Sequence, residues 1–556
     1  MVRRAWLLLA VWSAFHCSCW YGTAANLATE SVGKAEVSFS QSAASVECYD
    51  FIEITLNVAK PSIKNPFTDA SVLGHFRLIG QSNKTVEGFC DSSDGSIYRV
   101  RFMPSQVGLY EFSITYRQDK TEKAYSGNFT AVDGKRRGLV RADPKHRWHF
   151  LWRGTGEHYF LNGSTAYLLL GWDDEKVIHD CIDRFHRLEV NRLRVLLDGR
   201  SDHFWTEPIK PGNGFLAVLN PWLAERPDDI YKPRFDYTRF NCPYWQKFER
   251  MLRDARDKDM IISVIFGWND TSVHPAAGSH DERRYFRYAV HRLAAFSNVA
   301  WDLGDDLDSF RSDDWTHETG MWLWNSDIYH HLATSHPVRN QHQDRTSLWF
   351  AMTSFQIWSR PLHEWMLDQR RQQAATTRII PQVNEEYGYE DHYPRWAKFG
   401  PPAASADGMR RMAWEIAMAG CYQTTGETAK RGTGIAPDSG GGWVNGRGDA
   451  SMTMLDGYAR MVRFFTKLEW WKTEPHDEYV DNGAFCLADP GKLYIVYLPH
   501  GGEVTVKLEP GPYQAQWYNP RNGDYLPESK AEGPWWTSPT AAPNDDWVLL
   551  LKRSPQ

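Results

Sequence analysis

Residues 34–132 alternate apolar and polar positions in short runs: Phe51–Val58, Gly74–Ile79, Ile97–Phe102 and Tyr110–Tyr116, with Pro, Gly, Asn and Ser clusters between them. A period of two broken by frequent turn residues predicts an all-β module of sandwich type. Past a basic stretch at Asp133–Arg137, a hairpin-like passage is expected at Trp148–Trp152 and Tyr159–Leu161, then a turn at Asn162-Gly163 and a run at Ala166–Leu170. The period then changes. Asp173 or Asp174 can cap a helix whose Val177, Ile178, Ile182, Phe185 and Leu188 share one face, and the apolar strand Asn191–Leu197 follows. The alternation repeats through a helix opened by Pro243, strand Met260–Phe266, helix Glu282–Phe296, strand Asn298–Leu303, helix Gly320–Ala333 and strand Val338–Gln341. It continues with strand Leu348–Phe355 after a connection too short for a full helix, helix Leu362–Ala374, strand Arg378–Val383, helix Met409–Ala419 and strand Gly420–Thr425. Such a series fits a closed barrel better than an open sheet. After helix Tyr458–Leu468 the short β period returns at Ala484–Leu487, Leu493–Leu498, Glu503–Leu508, Tyr513–Tyr518 and Trp547–Leu551. The chain thus reads as an α/β protein: a (β/α)8 TIM barrel over 138–475, flanked by β-sandwich domains at 34–132 and 476–556.

Three features of composition change this picture. Arg3 and Arg4 precede the apolar stretch Ala5–Phe15, which is too short to span a bilayer, and Gly22-Thr23-Ala24-Ala25 offers a cleavage site. Residues 1–25 are therefore expected to be a signal peptide, and the mature chain to be secreted, extracellular or periplasmic, without a membrane anchor. The balance of 63 Lys+Arg against 69 Asp+Glu, net −6, carries no basic stripe and argues against nucleic acid as a partner. The cysteines show no C-x-x-C spacing for a metal; a Cys48–Cys90 bridge within the first β module is expected in an oxidising compartment. Twenty-six Trp is a high number for this length. Flat rings with one polar atom suit the C–H faces of sugars, although core packing accounts for many of them.

The candidate chemistry lies in two acidic stretches, each after an apolar strand: WDLGDD at Trp301–Asp306 and NEEYGYE at Asn384–Glu390. Carboxylates at the C-terminal ends of barrel strands sit where such barrels hold their active sites, and a facing pair is the equipment for cleaving a glycosidic bond. Alternation puts Asp302, Gly304 and Asp306 on one face and Leu303 and Asp305 on the other, until the strand ends. Asp306, at the lip, is the candidate acid/base, with Asp305 a neighbour holding polar groups in place. An Asp after a strand also caps helices or lines solvated turns, so position alone leaves both roles open. Of the adjacent Glu385 and Glu386 only one can point into a cleft. Glu386 is the candidate nucleophile, because Gly388 allows the backbone to turn away at the rim. Asn384 and Glu385 are placed to bond sugar hydroxyls. Arg194 is a charge in an apolar strand and needs a partner: the expectation is a pairing with the nucleophile that keeps it ionised, with a structural salt bridge as the alternative. His342 and Gln356, ending the fifth and sixth strands, are further sugar-ligand candidates, and Trp443 lies in a Gly-rich loop, Gly432–Gly448, after the eighth.

At these residues the chain resembles the apiosidase-like (β/α)8 glycoside hydrolases, which are related to the wide clan of barrels with acid/base on strand four and nucleophile on strand seven. That clan's W-E-L-x-N-E pattern lies over Trp301–Asp306, and the apiosidase-like W-x-L-G-G-D fits Asp306 more closely. The E-[FY]-G nucleophile pattern falls on Glu386-Tyr387-Gly388. FLNGSTAYLLLGW is similar to the group's opening segment and NRLRVLL to its second strand. Asp305 departs from the Gly or Asn expected there, and Asp306 from the wider clan's Glu. The N-terminal region resembles a β-sandwich of unknown function, and the C-terminal region is similar to a β-sandwich of collagen-binding type. The resemblance implies a glycoside hydrolase acting on a plant, algal or microbial polysaccharide or oligosaccharide, retaining, with no metal or organic cofactor. The rival expectations are a non-catalytic carbohydrate-binding or adhesion protein on a degenerate barrel, and a transglycosidase.

Overall fold

A computed structural model of the chain describes residues 37–200, 214–216, 218–229, 231–268, 273–338, 345–392, 403–427, 441–448 and 451–555. The expected signal peptide and His342 lie outside the described residues.

The barrel strands are β1 (Asn162–Thr165), β2 (Arg192–Leu196), β3 (Ile261–Ile265), β4 (Val299–Asp302), β5 (Ala333–Thr334), β6 (Thr353–Phe355), β7 (Gln382–Asn384) and β8 (Tyr422–Thr424). They form one parallel sheet in the order β5-β4-β3-β2-β1-β8-β7-β6. Between β5 and β6 the ladder gives way to two single bonds, Ala351 N–H to the Ala333 carbonyl at 2.9 Å and Thr334 Oγ1 to the Met352 carbonyl at 3.0 Å, so the barrel is nearly closed. Around it pack α1 (Glu175–Arg187), α2 (Cys242–Arg256), α3 (His280–Leu293), α4 (Asp313–Ser326), α5 (Leu362–Ala374), α6 (Ala406–Met418), the single turn α7 (Gly442–Asn445) and α8 (Met454–Phe465). Asp174 caps α1 through its side chain and Ser279 caps α3.

Two stretches of the barrel depart from expectation. Asn162-Gly163, read as a turn, belongs to β1, and Ala166–Leu170 is not a strand: Leu169–Gly171 is a 3₁₀ turn. Gly163 is needed because β1 and β8 come close; a Cβ there would stand 2.2 Å from Thr424 Oγ1. The second correction is the fourth helix, which runs over Asp313–Ser326 rather than Gly320–Ala333. Ser312 accepts a hydrogen bond from the Trp315 amide, and Asp313 and Asp314 favour the first turn. The fifth strand moves with it, to Ala333–Thr334 instead of Val338–Gln341. Among the described residues no helix joins β5 to β6, as the short connection suggested.

The N-terminal region is two antiparallel-dominated sheets face to face, one of four strands and one of five, with Phe76 stacked on Phe102 at 4.5 Å between them. The C-terminal region holds a six-stranded and a two-stranded sheet. It docks on the barrel through Trp414 stacked on Tyr497 at 5.5 Å and through Arg410 Nη2 paired to Asp546 Oδ1 at 2.8 Å. The N-terminal region is joined through a buried ion network. Arg101 donates to both oxygens of Glu249, at 2.6 and 2.9 Å, and Arg292 reaches Glu249 and Asp91 at 2.6 Å each. The expected Cys48–Cys90 bridge is absent: the six described cysteines are free, buried thiols. Cys90 Sγ is turned to the Ser92 carbonyl at 3.1 Å, and burial pushes the thiol up to about 12.

Candidate active site

The C-terminal ends of β1, β2, β4, β5, β6 and β7 bring most of the expected residues together. Arg194, wholly buried on β2, is the hub: Nη2 lies 2.8 Å from Asp302 Oδ2 and 2.9 Å from Asp305 Oδ1, Nη1 donates to Tyr167 Oη at 3.1 Å, and Nε stands 3.3 Å from Glu385 Oε2. A charge on an inward-facing strand position thus meets carboxylates from β4 and β7, which is what its burial demands. Asp302 and Asp305 reach the same guanidinium, since alternation is expected only until the strand ends. The strand ends at Asp302, and the Asp305 amide is bonded to the Gly267 carbonyl at 3.0 Å.

Asp306 stands one residue on, at φ 50° and ψ 36°. This left-handed conformation is one that Asp tolerates better than most residues. It precedes a 3₁₀ turn, Leu307–Ser309, but its carboxylate makes no capping bond to that turn, so the capping role left open by the sequence is not the one it plays. Glu386, 8 % exposed, accepts a hydrogen bond from Gln356 Nε2 at 2.9 Å. Burial raises its pKa and Asp305 adds to the rise, while His336, Gln356 and Arg194 oppose it. Gly388, at φ 123°, is where the chain turns away after it. The phenol of Tyr167 is held neutral first of all by burial and also by the charges of Asp305, Glu386 and Asp306, while Arg194 opposes. Both candidate carboxylates therefore lie within electrostatic reach of one hydroxyl.

Glu385 and Asn384 were expected to meet sugar hydroxyls. Instead Glu385 is buried with both oxygens on Arg192 Nη1, at 2.7 and 2.9 Å. Burial would raise its pKa, but Arg192 and Arg194 outweigh that and hold it low. Asn384 is tied to the backbone of Ile357 at 3.2 and 3.4 Å. Trp443 does not sit in a loop: it lies on α7, is 4 % exposed, and its ring stands 5.8 Å from Tyr167 and 5.3 Å from Tyr389. With Trp268, 5.6 Å from Tyr167, and the half-buried Trp358, 5.9 Å from Tyr389, these rings form an aromatic wall beside the carboxylates.

Sequence reasoning missed three members. Arg192 anchors Glu385 and donates from Nε to Ser263 Oγ at 2.8 Å. Tyr167 donates to Asp305 Oδ1 at 3.2 Å. His336, just past β5, places Nδ1 2.9 Å from Asp305 Oδ1, and its pKa is raised: burial and Arg194 lower it, and Asp305 and Glu386 outweigh them. It stands at the end of the fifth strand, where the sequence had suggested His342.

Comparison with known proteins agrees with this geometry. Residues 213–427 match the family model described as "Apiosidase-like, catalytic domain", so Asp306, His336, Gln356 and Glu386 all fall within the match. Residues 45–117 match a domain of unknown function, and residues 477–552 a "Putative collagen-binding domain of a collagenase". No curated protein matches the chain. Among solved structures, a "putative glycoside hydrolase" from Bacteroides vulgatus superposes with a TM-score of 0.76 at 20% identity, covering 92% of this chain and 100% of that one. A glycoside hydrolase of family 5 from the same organism gives 0.59 at 14% identity, covering 75% and 94%. At these identities the likeness speaks for the fold, and the match over 213–427 speaks for the catalytic segment. Residues 213–427, which hold the carboxylates beyond the fourth and seventh strands of a nearly closed eight-stranded barrel, are similar to the apiosidase-like catalytic domain, and the chain is a glycoside hydrolase.

Proposed function

We propose that the chain cleaves O-glycosidic bonds in a plant, algal or microbial polysaccharide by retaining double displacement, and that it does so outside the cytoplasm after losing residues 1–25. Glu386 attacks the anomeric carbon as Asp306 passes its proton to the leaving oxygen, giving a glycosyl ester. Asp306 then takes a proton from water, whose oxygen displaces Glu386 at the same carbon. Arg194, Arg192, Asp302, Asp305 and Glu385 are positioning residues, and Gln356, Trp443 and the other rings of the wall hold the sugar. The observation that carries the reading is the cluster of carboxylates gathered on Arg194 from the ends of β4 and β7, with Glu386 beside it accepting from Gln356 Nε2 at 2.9 Å. The test is incubation with defined plant and algal oligosaccharides, with the anomer of the fresh product read by NMR. Cleavage with retention is expected; inversion would reject Glu386 as nucleophile, and binding without cleavage across the panel would reject catalysis.

The pH profile follows from the same residues. A nucleophile must be ionised, so kcat/KM falls as acid protonates Glu386. Because burial raises that group, the acidic limb should lie above the ordinary glutamate range. The Gln356 donor favours the charged form. Gln356→Leu is therefore expected to move the limb further up in pH, and a downward shift or none would remove Gln356 from this role.

A further inference from the structure

Away from the barrel mouth, a second cavity of about 750 Å³ opens where the N-terminal sheets meet the outer face of the barrel. Its floor is apolar and aromatic: Phe67, Phe89, Phe240 and Tyr288, with Phe67 packed edge-on to Phe240 at 5.5 Å. The half-buried Trp322 of α4 stands in its wall. Its other wall is the polar stripe of α3, on which His280, Arg284, Arg287 and His291 recur at helical spacing, with Arg283 beside them. An adjoining hollow of about 230 Å³ shares Glu87, His291 and Ser326, so the two run on as one groove.

The charge in this groove is one-sided. Three arginines face a single carboxylate among the lining residues, on a chain whose net charge is −6. Arg287 pairs with Glu87 and Arg284 with Asp281. Arg283 reaches the Gly278 carbonyl and the His280 ring and has no carboxylate partner among the described residues. Burial, with help from Arg287 and against Glu87, holds His291 down to about 4, so at neutral pH it adds no charge to the arginines.

We propose that this groove is an accessory binding site for an anionic oligosaccharide, with sugar rings laid on the aromatic floor and carboxylate or sulfate groups held by Arg283 and Arg287. The volume lies within the range of ligand pockets, roughly 300–1,000 Å³. Aromatic faces take the C–H faces of the rings, and guanidinium forks are the groups that bind planar oxyanions in two places. A glycan is the occupant because the same chain carries a glycoside hydrolase barrel. A charged glycan is the occupant because a neutral one would leave Arg283 without a counter-charge.

The experiment is titration calorimetry on the whole protein with trigalacturonate, its methyl-esterified neutral form and a sulfated trisaccharide. Binding of an acidic sugar at least about tenfold tighter than the ester is expected, weakening with added salt. The double variant Arg283→Ser/Arg287→Ser should lose about tenfold or more of that affinity. Both side chains are exposed, so its thermal midpoint should hold, and hydrolysis of any small glycoside the enzyme accepts should be unchanged. Trp322→Ala, read in the same way, tests the ring contact. Preference for the sulfated sugar assigns the anion as sulfate. Equal affinity for ester and acid, no binding of either acidic sugar, or full affinity in the double variant overturns the site. Because the readout is binding, it decides the matter even if the catalytic assignment of Glu386 fails.

Discussion

Glu386→Gln is expected to lower kcat by about 10⁴-fold or more on every substrate, because a neutral amide cannot form the glycosyl ester. The fold should survive. The carbonyl of the new side chain can still accept from Gln356 Nε2, and the Arg192–Glu385 and Arg194–Asp305 pairs do not depend on residue 386. Asp306→Asn should behave differently. Loss of the acid costs about 10²–10⁴-fold in kcat/KM where the leaving group needs a proton, and much less in kcat/KM with an activated aryl leaving group. In that second case the glycosyl-enzyme accumulates and hydrolyses slowly, for want of a base. Steady-state rates on a natural oligosaccharide and an aryl glycoside, with intact mass of the protein, separate the two roles. A Glu386→Gln enzyme within tenfold of wild type, or an Asp306→Asn enzyme whose kcat/KM falls equally on both substrates, would reject these assignments.

How far the site was readable follows from how much chain each residue had around it. Glu386 and Asp306 lie after apolar runs and within short motifs, and the structure places both at strand ends. Arg194 stood out because a charge inside an apolar strand is conspicuous, and its partners are carboxylates, as burial requires. His336 was hidden because β5 is only Ala333–Thr334, too short for a period of two to show, with polar residues around it. The same shortness displaced the expected strand by several residues and drew attention to His342. β1 was hidden for another reason: its four residues are Asn, Gly, Ser and Thr, which read as a turn, and only the close approach of Thr424 explains why a small polar strand belongs there. Alternation stops at Asp302 with the strand, and the backbone after it is bonded instead to the neighbouring ends at Gly267, Thr334 and His336. The fate of Glu385, expected to bond sugar hydroxyls, lay beyond the local sequence. It depends on Arg192, on another strand, and no local pattern encodes that pairing.

The other large effect concerns stability, and it lies where the N-terminal sheets meet the barrel. Glu249, 3 % exposed on α2, holds two buried guanidiniums at once, Arg101 from the N-terminal region and Arg292 from α3. Burial alone would push its pKa up, but Arg101 and Arg292 outweigh that and keep it ionised. Removing one member of such a group leaves buried charge uncompensated, at a cost of about 3–5 kcal/mol, a large share of the ~5–15 kcal/mol that typically keeps a protein folded. Glu249→Leu is therefore expected to lower the urea midpoint sharply. Replacing all three residues together, as Glu249→Leu/Arg101→Met/Arg292→Met, should restore much of the loss, since neither guanidinium is left without Glu249, while Asp91 and Glu53 keep their pairing to Arg99. The two regions can be followed separately. No Trp lies between residues 37 and 132, so Trp fluorescence reports the remainder of the chain. Labelling of the buried thiols Cys48 and Cys90 reports the N-terminal sheets. Because Arg292 also grips Asp91, next to Cys90, and Tyr288 donates to the Cys90 carbonyl at 2.7 Å, Cys90 should become reactive at lower urea in Glu249→Leu than in wild type. A single variant whose midpoint stays within about 1 kcal/mol of wild type, or a triple variant less stable than the single, would show that this network is a surface-like pairing of little weight rather than the joint between the two regions.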